Sequence, residues 1–166
     1  RYDGTSTIDI LKQVSEVCFM PLSFGGCIRN VEDMRDRLAA GADKCVINTQ
    51  AISTPELITE GAKHLGSQCV VVNIDAMRHQ DGRLEVYSEG GVTPTGLGPV
   101  EWAREAEKRG AGEIFLNSVD RDGMGKGYDL ELVKAVSEGV TIPVIACGGV
   151  GQYEHFPTAI THGGAS

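Results

Sequence analysis

Aromatic residues make up only 5% of this 166-residue chain. No apolar run approaches the roughly 18 residues of a membrane span, and no signal peptide is visible. Basic residues are also scarce: 15 Lys and Arg stand against 23 Asp and Glu, for a net charge of −8. That balance argues against a nucleic-acid partner or a polyanionic membrane surface. It does not exclude phosphate ligands, which backbone amides and a few local cations hold. No CxxC pair occurs among the five cysteines, and no HExxH or other ligand spacing occurs among the four histidines. No metal site and no cofactor are expected. The cysteines Cys18, Cys27, Cys45, Cys69 and Cys147 read as buried free thiols of a reducing cytoplasm, without disulfides. An initiator Met is lacking too, and Arg1-Tyr2-Asp3-Gly4 looks like a chain cut inside a loop.

Glycine, at 22 residues, is plentiful, and the chain is long enough for one domain with a real core. Its organising stretch runs from Gly112 to Gly127. There an apolar run, Ile114-Phe115-Leu116, breaks into Asn117, Asp120, Asp122, Gly123, Gly125 and Gly127 before a helical pattern resumes at Asp129. A strand that ends in polar residues and glycines before a helix is where α/β sheets place ligands.

Apolar spacing predicts helices over Thr7–Cys18 (Ser6 or Thr7 as N-cap), Val31–Ala40 (Asn30 as N-cap), Pro55–Leu65 (Thr54 as N-cap, Pro55 at N1), Pro99–Arg109, Leu130–Gly139 and Gln152–His162. Strands are predicted at Met20–Phe24, Lys44–Asn48, Cys69–Asp75, Ile114–Leu116 and Pro143–Cys147, with a small β excursion at Leu84–Tyr87. Strict alternation means parallel strands and right-handed crossovers, as in a doubly wound sheet or an eight-fold barrel.

An internal repeat bears on that choice. Residues 21–44 align without a gap onto residues 143–166, an offset of 122. Pro21 falls on Pro143, Gly26 on Gly148, Met34 on Phe156, Leu38 on Ile160 and Gly41 on Gly163. Any two βα units share some of this punctuation. Taken as a true repeat, an offset of four βα units implies eight in all. The expected fold is then a partial (β/α)8 barrel: residues 1–166 form a single truncated domain with strands three to seven, lacking two strands before Arg1 and one after Ser166.

In such a barrel the strand ends converge on one face. Gly26 and Cys27 with Asn48 and Thr49 form one candidate anion nest. Asp122 and Gly123 with Gly148, Gly149 and Val150 form its counterpart across the mouth, which suits a substrate with a phosphate at each end. Asp75 ends a nearly unbroken apolar run, where an ionised carboxylate needs a partner or a task. General acid–base work is one reading, and a salt bridge to Arg78 or a loop cation is the other. One of Asp120 and Asp122 is expected to shape its loop and pair with Arg121 or Lys126.

The segments Gly41–Thr49, Gly66–Ala76, Gly110–Ile114, Asp120–Gly123, Gly127–Leu132 and Ile142–Gly149 stand in an order that resembles the cyclase subunits of imidazole glycerol phosphate synthase over essentially the whole chain. The resemblance implies a two-fold (β/α)8 barrel acting on a doubly phosphorylated aminoimidazole-carboxamide ribonucleotide. It also implies a glutaminase partner that supplies ammonia at the N-terminal face of the barrel. Of the family's two catalytic aspartates, one matches Asp75, and the other would lie upstream of Arg1. Asp43 and Lys44 match positions near the ammonia entrance and partner surface. Cys27 stands where a third glycine is common, and Asn117 and Cys147 replace small hydroxyl residues expected to face the substrate. Phe19-Met20-Pro21 and Phe115-Leu116-Asn117-Ser118 look more like a paralogous branch that delivers ammonia to a sugar amidotransferase in surface-polysaccharide synthesis. A non-catalytic barrel fragment is a third reading.

Overall fold

A computed structural model describes residues 6–166; the Arg1–Gly4 opening lies outside them. The strands are β1 (Ser23–Gly25), β2 (Lys44–Ile47), β3 (Val70–Arg78), β4 (Leu84–Ser88), β5 (Thr93–Pro94), β6 (Glu113–Ser118) and β7 (Val144–Cys147). The helices are α1 (Thr7–Ser15), α2 (Val31–Ala39), α3 (Thr49–Ser53), α4 (Glu56–Leu65), α5 (Pro99–Arg109), α6 (Leu130–Ser137) and α7 (His155–Thr161). β1, β2, β3, β6 and β7 lie side by side in that order, all parallel, with helices between them. The predicted excursion is an antiparallel ribbon, β4 and β5, laid on the far end of β3. Asp75 and Ala76 pair with β6 on one side and with β4 on the other. β4 therefore occupies the same edge of β3 that β2 uses at Val70–Val72.

The two faces of this sheet differ in chemistry because side chains alternate along a strand. Cys45, Ile47, Val70, Val72, Ile74, Ile114, Leu116 and Val144 point to one face. There they are buried with Met34, Ile58, Trp102, Ala103, Leu132 and Val136 of the helices. Each buried aliphatic side chain contributes about 1.5–3 kcal/mol, so stability is concentrated between sheet and helices. The opposite face carries Lys44, Val46, Asn48, Val71, Asn73, Asp75, Glu113, Phe115, Asn117, Ile145 and Cys147, a mixed set that a solely structural face would not need.

The repeat extends to individual hydrogen bonds. Lys44 N–H donates to the Leu22 carbonyl (3.3 Å), and Ser166 N–H donates to the Val144 carbonyl (2.9 Å), the same bond moved by 122 residues. Gly26 and Gly148 both have positive φ, +107° and +85°, as do Cys27 (+53°) and Gly149 (+99°). The helices differ in cover. Met34 is fully buried, its sulfur 2.9 Å from where a Cβ on Gly61 of α4 would stand, whereas its counterpart Phe156 is 51% exposed.

Several expectations need correction. The first helix stops at Ser15, not Cys18: Leu11 is its only buried residue, and Val17 is exposed, so no packing holds a further turn. Of its two expected cap residues Ser6 takes the position, as expected, through a reciprocal bond with Asp9. The first strand begins at Ser23 rather than Met20, since Pro21 has no N–H to give a ladder. Thr54 does not cap α4. The short helix α3, which no periodicity announced, ends on Thr54, whose hydroxyl accepts from Gln50 Nε2 (2.9 Å), and Pro55 takes the cap position. Cys69 sits in a single 3-10 turn, Ser67–Cys69, after Gly66, so β3 starts one residue later and runs on to Arg78. The fifth predicted helix ends at Ser137 rather than Gly139, and the sixth, α7, begins at His155 because Gly151 N–H donates to His155 Nδ1 (3.1 Å) and holds the preceding turn. Of the five free thiols only Cys45 is buried, and that burial pushes it up to about 11. Cys27 is exposed, on a turn at the open end of the sheet.

Candidate functional site

Asn48, Asp75, Asn117 and Cys147 stand at the carboxyl ends of β2, β3, β6 and β7, on the face away from the core. Register makes them neighbours: Asp75 pairs with Asn117, and Asn117 with Cys147. Asp75 is 7% exposed. Asn48 Nδ2 donates to its Oδ2 (2.7 Å) and Asn117 Nδ2 donates to its Oδ1 (3.0 Å). The salt bridge to Arg78 does not form. Arg78 leaves β3 in the other direction and pairs with Asp129 (3.1 Å) and Glu131 (3.2 Å), and the bond to Asp129 raises its pKa. Asp75 is thus a buried carboxylate held by two neutral amides and no cation among the described residues. The Asn48 and Asn117 Oδ1 atoms, and Asn73 Oδ1 below them, are buried without a donor among the described residues.

These residues floor a cavity of about 540 Å³. Gly26, Cys27, Asn48 and Thr49, the first predicted nest, line one wall together, and Asp122 reaches it from the β6–α6 loop. Cys147 lines it too, its thiol raised mainly by burial. Gly123, Gly149 and Val150 do not line it. Their loops close on each other instead: Gly127 N–H donates to the Gly149 carbonyl (2.7 Å), and Gly149 and Gly151 sit against the Gly127 and Gly125 carbonyls, where a side chain has no room. Neither Asp120 nor Asp122 pairs with Arg121 or Lys126. Asp120 instead accepts from Arg78 N–H (2.6 Å), tying the loop after β6 to the end of β3.

Arg29, Asn73 and Phe115 also line the cavity and were not singled out from sequence. The break that Asn73 makes in the run Cys69–Ile74 was the available signal for that residue. Arg29 had only its place two residues after Cys27. The antiparallel ribbon borders the site as well. Glu89, at φ +53°, donates its N–H to Thr49 Oγ1 (3.0 Å). Glu85 braces the ribbon's base by accepting from Gly96 N–H (2.7 Å) and meeting His79 Nε2 (2.7 Å), and these bonds, that to Gly96 first, lower its pKa.

Lys44 and Glu113 lie at the other end of the same face. Their ion pair (2.8 Å) reaches across β3, from β2 to β6, while Asp43 accepts from Leu22 N–H (2.7 Å). Asp75 lies four positions along β3 from Val71, which is beneath this pair, or about 13 Å along the strand.

Cys27 holds a left-handed backbone that costs a non-glycine residue about 1–2 kcal/mol. Cys27→Gly is expected to stabilise the protein by about 0.5–1 kcal/mol after the added chain entropy of glycine. A higher urea midpoint at unchanged slope is the expected reading, and a lower midpoint counts against strain at this turn.

Fold and site together define a parallel α/β protein of the barrel class, with its polar residues gathered at the carboxyl ends of the strands. Residues 3–166 match the family described as "Histidine biosynthesis protein", and the chain belongs to that family. It is 50% identical over 149 residues to the imidazole glycerol phosphate synthase subunit HisF of Gluconacetobacter diazotrophicus, a match covering 90% of this chain. The chain spans 58% of the length of that curated relative. No helix among the described residues is long and apolar enough to cross a membrane.

Proposed function

We propose that this chain is the larger part of a cyclase subunit of imidazole glycerol phosphate synthase, acting in the cytoplasm with a glutaminase partner. The observation that carries the reading is Asp75, a buried carboxylate without a counter-ion among the described residues, at the floor of an open cavity. In this reading the substrate is a doubly phosphorylated aminoimidazole-carboxamide ribonucleotide. One phosphate rests against Gly26, Cys27, Asn48 and Thr49, with Arg29 at the rim; the other lies toward Asp122, Gly123, Gly149 and Val150.

Ammonia enters beside Asp43 and the Lys44–Glu113 pair and travels along the inner face to the sugar carbonyl. Its nitrogen attacks the carbonyl carbon, water leaves, and imidazole ring closure then expels the aminoimidazole-carboxamide nucleotide. Each of these steps moves a proton, and Asp75 accepts or returns it, with a second carboxyl group from outside this segment on the other side of the substrate. Asn117 and Cys147 border the reacting region.

A second reading keeps the barrel and the ammonia route but replaces the acceptor with a sugar in polysaccharide synthesis. The segments Phe19-Met20-Pro21 and Phe115-Leu116-Asn117-Ser118, which look more like that branch, favour it. The test is the full-length protein supplied with ammonium ion and the ribonucleotide. Formation of imidazole glycerol phosphate is the expected result. A folded protein that leaves the ribonucleotide untouched would end the proposal.

A further inference from the structure

We propose that Asn117, with Asn48 as its second arm, is a positioning residue for Asp75 and not a substrate contact. The inference rests on the proposed cyclase reading for its kinetic consequence, while its geometry is independent of it. Each oxygen of Asp75 receives one amide N–H, from β2 on one side and from β6 on the other (2.7 and 3.0 Å). Donors on both flanks fix the plane of the carboxylate and leave its remaining lone pairs to the cavity it lines.

The amides are committed to this task at a visible cost. With both Nδ2 groups turned to Asp75, both Oδ1 atoms are buried without a donor, where buried acceptors are normally paired. Arg78, the basic residue closest to Asp75 in sequence, is held by Asp129 and Glu131, and the two amides are the hydrogen-bond donors to the carboxylate among the described residues. Gly148 backs Asn117 from the next strand end. A Cβ there would stand 3.0 Å from Asn117 Oδ1, so a side chain would crowd the amide. Both arms only donate, which fits Asp75 as the group that accepts the proton.

The test uses the full-length protein with saturating ammonium ion. Asn117→Leu keeps the bulk and removes the donor. Its kcat is expected to fall by about 10- to 100-fold with KM changed by less than about 2-fold, as for loss of transition-state alignment. Asn117→Gln, which restores an amide donor, is expected to recover about a third of the wild-type kcat or more. A raised KM at unchanged kcat, or equal kcat for Leu and Gln, would overturn the proposal. If Asn117→Leu fails to fold by circular dichroism, Asn117→Ala, which also removes the donor, carries the same expectation. An infrared difference spectrum of wild type against Asp75→Asn locates the Asp75 carboxylate band independently of turnover. That band is expected to shift in the Asn117 variant, and an unshifted band rejects the clamp. Absent turnover in wild type, with a shifted band, rejects the cyclase reading alone.

Discussion

Asp75→Asn in the full-length protein is expected to lower kcat for ammonia-dependent imidazole formation by about 10³-fold, the middle of the range for losing a positioned general acid–base group. The substitution is nearly isosteric, so its effect is chemical. An asparagine here cannot accept a proton, and its own amide meets two Nδ2 donors, from Asn48 and Asn117, with only one oxygen to offer them. One neighbour must turn over and present its Oδ1, which is unpaired in the wild type and therefore available. Stability should change by less than about 1–2 kcal/mol, because no buried charge is left behind and that reorientation restores the missing bond. Steady-state kinetics with saturating ammonium ion beside a thermal melt separate the two effects. A variant that melts normally and still turns over within 10-fold of wild type would remove Asp75 from the chemistry.

Much of this site was visible along the chain, and what was hidden depended on neighbours far apart in sequence. Asp75 announced itself by ending the apolar run of β3, since a buried strand rarely closes on a charge without reason. Gly26 and Gly148, paired by the repeat, share positive φ and both sit at strand exits. The offset of 122 even transferred a specific backbone bond, Lys44 to Leu22 and Ser166 to Val144. Asn117 was legible as a polar residue at a strand end, and its departure from a small hydroxyl was noticed. Its orientation was not, because that depends on the cross-strand register that sets it beside Asp75. Arg78 misled for the opposite reason. Three residues along a strand lies close in sequence but on the other face, and the β3–β4 ribbon carries its side chain toward Asp129. Helix α3 escaped detection since five residues give too little periodicity to separate it from a loop.

Gly148→Ala is expected to be among the most damaging single-methyl changes in the chain. Its φ of +85° alone costs an alanine about 1–3 kcal/mol. The new Cβ would also stand 2.5 Å from the Ser118 carbonyl oxygen and 3.0 Å from Asn117 Oδ1, both at the end of β6. Relief requires β6 and β7 to part where Asn117 pairs with Cys147, adding about 1–3 kcal/mol of overpacking. Together these predict a loss of about 4 kcal/mol, which lowers Tm by roughly 8–16 °C in a chain of this size or larger. Gly82→Ala separates the two contributions. Gly82 has nearly the same φ, +87°, but nothing lies within 4 Å of where its Cβ would stand, so only the backbone cost applies. The Gly148 variant should therefore melt lower than the Gly82 variant by the collision cost alone. It should also lose kcat, because displacing the end of β6 moves the amide that holds Asp75, whereas Gly82 lies at the ribbon's turn, away from that row of strand ends. Equal melting temperatures and equal activities in the two variants would show that the strand ends yield to a methyl group, and a clamp that yields so readily could not position a carboxylate.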